Sequence, residues 1–377
     1  MGWRHAGWLR WATQDKDAGS VHTERGMGAT EDAVLRPHSA ASRPRSSARW
    51  LLLQLSLAAA ALVAAFAAPV SYAGNGGFAP VSPESSNAHG IRTSYLFISI
   101  FTLIVFVAVE TLLVLFIFRF RRRRRDPRFQ DGPELHGATR LELMWTAIPV
   151  VILFLVASFI FIKLPGISNV PSAGAAGEEL RVGVTGRQFY WQFEYPNGVI
   201  AIDNLRAPVG VPIRLDVTAP DYDVIHSWWI PSLAGKMDAI PGQTNTTWFR
   251  ADRPGIYRGQ CAELCGLEHA RMLATVEAMP KDEFDAWLEK QRSDQTSGTS
   301  DLGDQEWGGV CAKCHGLAGE GGIGPPLAGS AALSDEKAVV KLIRNGRGRM
   351  PPVARDWTNE QVSALTTYLK EHPPGGG

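Results

Sequence analysis

The sequence predicts a membrane-anchored, multidomain chain: a two-helix transmembrane hairpin, then a β-sandwich or barrel, then a small all-α domain. Three observations carry this. Two apolar runs of membrane-spanning length flank an unbroken arginine block at residues 121–125. Short runs rich in β-branched and aromatic residues follow, separated by PNG, PGQ and RPG turns. The closing segment, 303–373, holds CAKCH, glycine-rich loops and two amphipathic helical patterns. At 377 residues there is room for about two to three domains. A net charge of +1 gives no whole-chain argument for a nucleic-acid partner.

Residues 1–49 are polar and place Arg43, Arg45 and Arg49 just before WLLLQLSLAAAALVAAFAAP. Ser71 and Ala73 stand at the spacing of a signal-peptidase site, so 1–73 reads as a signal peptide with a long leading region. Met27 is an alternative start, and a retained first transmembrane helix is the competing reading. The hairpin follows at 90–165, with spans at about 95–118 and 144–161, each close to the ~20 apolar residues a bilayer needs. Glu110 lies inside the first span, where an ionisable group should face protein, not lipid. Pro149 lies in the first half of the second span. The arginine block keeps the connecting loop cytoplasmic and puts everything after Lys163 outside. That topology implies a bacterial inner membrane with the later domains on its periplasmic side.

After a small-residue linker, ELRVGV, QFYWQFEY, VPIRLDVTA, VIHSWWI, NTTWFRA, GIYRGQ and MLATVEAM read as strands of one domain over 178–292. A helical pattern, DEFDAWLEKQR, leads into a polar linker at 293–302. Helices are expected around 336–344 and 359–372 in the last domain.

The 4 cysteines fall in two tight pairs, each followed by a histidine, which suits two cofactor sites better than a disulfide scaffold. In the first, CAELCGLEHARM, a Cys261–Cys265 disulfide would leave His269 and Met272 without a role. Zinc could take Cys261, Cys265, His269 and His226, which lies one hairpin upstream. Zinc has little use for a thioether, however, and soft thiolate and thioether donors favour copper. Two thiolates could bridge two coppers, each with one histidine and one weak ligand, Met272 for one and a backbone carbonyl for the other.

His226 followed by CAELCGLEHARM resembles the binuclear CuA centre of cytochrome c oxidase subunit II. HGATRLELMWTAIP, GRQFYWQFEYPNG and SWWIPSLAGKMDAIPG resemble further parts of that family, over roughly residues 90–292. The resemblance implies a cupredoxin-like domain with copper ligands His226, Cys261, Cys265, His269, Met272 and the Glu263 carbonyl. It also implies that the Glu263 carboxylate approaches a magnesium ion at the interface with the catalytic subunit, and that Glu142 lies near the mouth of a proton channel there. Without the resemblance, Glu142 is an ordinary polar residue at a helix start.

CAKCH is the attachment pattern for a c-type haem, with thioethers from Cys311 and Cys314 and His315 as proximal ligand. Met350, in RNGRGRMPP, is a soft donor for the opposite face, and such a ligand raises the potential as an electron carrier requires. A covalent haem would also supply the core that so short a domain lacks. The segment resembles a class I cytochrome c domain, and its fusion to a CuA domain is similar to the haem-c-carrying oxidases. In the aromatic strand, Tyr190 and Trp191 keep the family pattern for electron transfer. Phe189 stands where a tryptophan is usual and Arg187 where a histidine is common.

The expected function is that of the subunit through which electrons enter a terminal oxidase, from haem c to CuA and on to a partner that reduces oxygen and translocates protons. The expected partners are oxidase subunits I and III, the membrane, and an external donor, either a cytochrome c or a reductase complex. No oxygen-reducing site is expected on this chain. Two other readings stay open: a zinc-stabilised, membrane-tethered haem-binding redox sensor, and a CuA-bearing reductase subunit for a substrate such as nitrous oxide. The first would want an output domain, the second a large histidine-rich one.

Overall fold

The computed structural model describes residues 81–120, 137–171, 179–297 and 301–375. The expected signal peptide and the arginine block lie outside the described residues. Two long helices form the hairpin, α1 (Ser86–Phe120) and α2 (Thr139–Ser168). Both exceed the expected spans because their polar flanks continue the helix and meet the extramembrane domain. Asn87 donates to the Trp248 carbonyl (2.9 Å), and the Trp248 indole donates to the Ile167 carbonyl (3.0 Å). Ser85 likewise donates to the carbonyl of Leu233. Phe97 stacks on Phe159 across the hairpin, with centroids 3.9 Å apart. No residue of α2 is buried within this chain, so its apolar surface is left uncovered.

The next domain is a sandwich of two five-stranded sheets, ordered β3-β2-β1-β5-β8 and β4-β10-β9-β6-β7. Its strands are β1 (Leu180–Arg187), β2 (Tyr190–Glu194), β3 (Ile200–Ile202), β4 (Asn204–Pro208), β5 (Ile213–Thr218), β6 (His226–Trp229), β7 (Met237–Ala239), β8 (Asn245–Phe249), β9 (Gly255–Cys261) and β10 (Leu273–Met279). Pairing is antiparallel except for β1 with β5 and β4 with β10. The inner faces alternate as a half-buried sheet must. Val182 and Val184 of β1 and Ile213, Leu215 and Val217 of β5 are wholly enclosed. Each expected strand run forms a strand, and β3, β4 and β7 are additional.

Helix α3 (Lys281–Ser297) runs five residues past Arg292, through the polar stretch expected to be linker. The physical reason is Gln295, whose amide pairs with both backbone groups of Ile200 on the edge strand (2.7 and 3.1 Å). The last domain is helical: α4 (Leu302–Glu306), a wide turn at Trp307–Cys311, α5 (Ala312–His315), α6 (Glu336–Asn345) and α7 (Asn359–Glu371). Thr358 and Gln361 cap α7 reciprocally. Helix α4 crosses α7 at Gly303, where a Cβ would come within 2.4 Å of the Ala364 carbonyl.

Candidate metal centres

The first centre is assembled where β6 and β9 meet. His226 opens β6 and Cys261 closes β9, and the Trp228–Cys261 register sets them side by side. Two features permit the approach. At Gly259 an added Cβ would lie 1.9 Å from the Trp229 carbonyl, so only glycine lets the strands close there. At Gly186 a Cβ would press on His226 at 3.0 Å. The loop after β9 then folds back on itself. Cys261 donates its N–H to the Met272 carbonyl (2.9 Å), while a short turn at His269–Arg271 brings His269 and Met272 inward.

The expected donors converge. Cys261 and Cys265 sulfurs are 4.0 Å apart, about twice a disulfide bond, and both are free thiols. Cys265 Sγ lies 3.6 Å from His269 Nδ1 and 3.7 Å from Met272 Sδ, and Cys261 Sγ lies 3.2 Å from the Glu263 carbonyl. One ring nitrogen of His226 and both thiol sulfurs fit within 4.8 Å. His226 Nδ1 is buried without a hydrogen-bond partner among the described residues, while Nε2 is held by Asp223 at 3.2 Å. A buried ring nitrogen left free beside two thiols, with a carboxylate orienting the other nitrogen, is the arrangement of a metal ligand. Met272 is fully enclosed and turned into this cluster.

The electrostatics agree. The contact with Cys265 pulls the Cys261 thiol down, while the ionisation of Cys265 is pushed up by that same contact. Burial works against a protonated His226, but Asp223 and Cys261 outweigh it and raise its pKa. Three sulfurs, two imidazoles and a carbonyl exceed what one tetrahedral zinc can use, and they suit a two-metal, sulfur-rich core.

The second centre lies in the helical domain. Cys311 and Cys314 are free and half-buried, and burial pushes the Cys311 thiol up to about 12. His315 Nδ1 faces the Pro325 carbonyl at 2.8 Å. A carbonyl only accepts, so Nδ1 carries the proton and Nε2 is left for a metal. Gly324 makes room for this ring, since a Cβ there would meet it at 2.7 Å. Met350 sits on a tight turn closed by paired Arg347–Met350 backbone bonds, and it packs on the same apolar cluster as Cys311. These residues fit a covalent haem.

The remaining expected residues separate by role. Tyr190 and Trp191 are both fully buried but on opposite faces of β2. The Trp191 ring stands 6.1 Å from that of His226. Tyr190 turns to the helical domain and accepts from the Trp357 indole at 2.7 Å. The Phe189 ring lies against the metal loop, 3.0 Å from where a Gly266 Cβ would be. The Glu263 carboxylate is exposed, 4.0 Å from Lys236. Glu142 accepts from the Ala138 N–H at 2.9 Å and so caps the start of α2.

Sequence reasoning missed Asp223, although an acid three residues before a ligand histidine was a usable signal. It also missed Glu268, a buried carboxylate beside His269, and the partners of Arg187 and Lys313. Those partners lie more than 100 residues away, and no local pattern reveals them.

Comparison with known proteins identifies the family. Family profiles match at residues 77–162 (cytochrome c oxidase subunit II, transmembrane domain), 197–279 (its periplasmic domain) and 299–369 (cytochrome c oxidase, cbb3-type, subunit III). Cytochrome c oxidase subunit 2 of Alkalihalophilus pseudofirmus is 31% identical over 316 residues, 77% of this chain and 89% of that protein. The Cereibacter sphaeroides protein of that name is 31% identical over 257 residues, covering 58% and 81%. Among solved structures, the periplasmic domain of subunit II of cytochrome oxidase from Bradyrhizobium japonicum is 34% identical. It covers 33% of this chain and 97% of its own, with a TM-score of 0.30. The chain belongs to the cytochrome c oxidase subunit II family, carrying a cytochrome c domain after its copper domain.

Proposed function

We propose that His226, Cys261, Cys265, His269, Met272 and the Glu263 carbonyl hold a binuclear copper centre, and that Cys311, Cys314, His315 and Met350 hold haem c. The chain is the membrane-anchored subunit through which electrons enter a haem–copper oxidase, assembled with the other oxidase subunits. The observation that carries the ligand assignment is the convergence on Cys265 of a second thiol, an imidazole and an enclosed thioether, all within 4.0 Å.

When bound, both groups supply one-electron chemistry with little change of geometry. The protein's part is positioning. Asp223 fixes the His226 ring, the Pro325 carbonyl fixes the His315 ring, and β6 and β9 carry His226 and Cys261 into one site. Enclosure of Cys261, Cys265 and Met272 keeps water from the sulfurs.

The finer reading rests on the resemblance to the family. The exposed Glu263 carboxylate would face subunit I and could take a magnesium ion there. Glu142 and Glu110, both uncovered in this chain, would be covered by partner helices, with subunit III a further neighbour. The donor is a cytochrome c or a reductase complex. The membrane is the bacterial inner membrane, with the signal peptide removed and both domains on the periplasmic side.

Metal and haem analysis of the detergent-solubilised chain, with absorption and paramagnetic resonance spectra, tests this. Two coppers per haem, sharing one unpaired electron, is the expected result. One zinc, or no metal beside the haem, would overturn the copper assignment and favour the haem-bearing sensor.

A further inference from the structure

The two domains meet along a seam built as an interior, not as a transient contact. Tyr190, Ile200 and Ile202 of the copper domain belong to one apolar cluster with Trp307, Val310 and Trp357 of the cytochrome domain. Tyr190 is completely enclosed and bonded at both sides of its hydroxyl, from the Trp357 indole and to the Val353 carbonyl (2.9 Å). At Gly309 a Cβ would strike Ile202 at 2.5 Å, so backbone and side chain are already in close contact.

Charges close both ends. Arg187, its side chain 8% exposed, pairs with Asp356, and Tyr222 bridges them with bonds of 3.1 and 2.8 Å. Lys313, inside the CAKCH motif and 12% exposed, pairs with Asp203 and donates to the Phe189 carbonyl at 2.9 Å. Arg271, next to Met272, donates to the Lys313 carbonyl at 2.8 Å, so the copper loop and the haem-attachment turn touch. Weak redox encounters bury small, wet and mostly polar patches. An enclosed aromatic centre with enclosed charge pairs at its edges is instead the anatomy of a permanent interface.

We propose that the cytochrome domain is locked onto the copper domain as a fixed part of the fold, with Arg187–Asp356 and Lys313–Asp203 as the positioning pairs, and that it packs over the aromatic strand at Phe189 while Leu264 and Leu267 of the copper loop stay exposed. The lock is independent of the copper and haem reading.

A protease site placed at residues 298–300 tests the lock in the intact, haem-loaded chain. After cleavage, the fragment from 301 onward is expected to co-elute with the membrane fragment in size-exclusion chromatography at micromolar concentration, including in high salt. Arg187→Ala should weaken this association about 30-fold or more, the effect of truncating one partner of an enclosed ion pair. Arg187→Asp with Asp356→Arg should restore it, a rescue that a general folding defect would not show. Haem absorbance and metal content of each fragment report folding and cofactor loading separately. Release of the fragment from the cleaved wild type would overturn the lock. Retention in both Arg187→Ala and Lys313→Met would overturn the two pairs as its positioning residues. Loss of copper with retained co-elution would leave the lock standing and count against the copper assignment alone.

Discussion

Gly259→Ala is the sharpest single test of how the fold makes the copper site. A Cβ at this position would lie 1.9 Å from the Trp229 carbonyl oxygen, 2.6 Å from Ile230 Cδ1 and 2.9 Å from the Trp229 carbonyl carbon. Real contacts stop near 3.0 Å, so β6 must retreat by at least the 1.1 Å between these values. The obstacle is backbone, which cannot swing aside as a side chain would. Pairing of β6 with β9 is short, Trp228–Cys261 and Trp229–Gln260 with one further bond from the Ala262 N–H to the Ser227 carbonyl (2.8 Å), so there is little ladder to resist the displacement. Overpacking costs about 1–3 kcal/mol. A weakened ladder bond adds about 1 kcal/mol. The melting temperature should fall on the order of 10 °C. Because His226 and Cys261 sit on the two strands being separated, copper content should fall as well. Gly183→Ala is the matched control: its Cβ would find only ordinary contact, 3.7 Å from Glu194, and neither quantity should change. Calorimetry and metal analysis of the two variants decide the matter. Wild-type melting and full copper in Gly259→Ala would refute the claim that this close approach builds the site.

Two further outcomes follow from the geometry. Met272→Leu is close to volume-conserving and should cost under about 1.5 kcal/mol; it should nevertheless shift the copper absorption bands and reduction potential, whereas an unaltered spectrum would show that the thioether is core filling and no more. For pH, burial opposes ionisation of Asp356, but Arg187 and Tyr222 outweigh it and hold its carboxyl below the ordinary 3.8. Its contribution is then fully present above that value and lost as pH falls through the depressed one. Burial instead raises the Asp203 carboxyl above its ordinary value, so the Asp356 step is read as a difference: the advantage of wild type over Asp356→Asn in co-elution should be level from pH 7 to 5 and vanish only below about 3.8, and an advantage already lost near pH 6 would contradict it.

Much of the architecture was legible because its signals are local. Alternation and turn residues mark the longer strands, and cysteine–histidine spacing marks both centres. What escaped is short or non-local. The added strands β3, β4 and β7 span three to five residues, too few to show a period. Asp203, with φ 58°, breaks β3 from β4 at a position normally given to glycine. It can do so because its own carboxylate accepts from the Trp191 N–H at 2.8 Å. The polar stretch after Arg292 read as linker because nothing in it is apolar. It is helical because Gln295 finds an edge strand 95 residues away. Lys313 drew no reading of its own within CAKCH, because its partner, Asp203, belongs to the other domain.

The departures from the family pattern in the aromatic strand acquire a reason once the seam is considered. Arg187 stands where a histidine is common and reaches Asp356 of the attached domain. Phe189 stands where a tryptophan is usual, half-buried, with its carbonyl bonded to Lys313 and its ring on the copper loop. A surface residue that receives free donors gains nothing from an indole once a resident domain covers it. Tyr190 and Trp191 take the two faces of the same strand, one in the cytochrome core and the other beside His226. Phe189→Trp should therefore leave turnover with soluble cytochrome c unchanged in the intact chain. It should raise turnover only when combined with Arg187→Ala, which opens the seam. Steady-state oxidation measured on both variants in the assembled oxidase separates these cases. A gain from Phe189→Trp alone would mean that the copper face is open to donors and that the attached domain leaves it uncovered for part of the time.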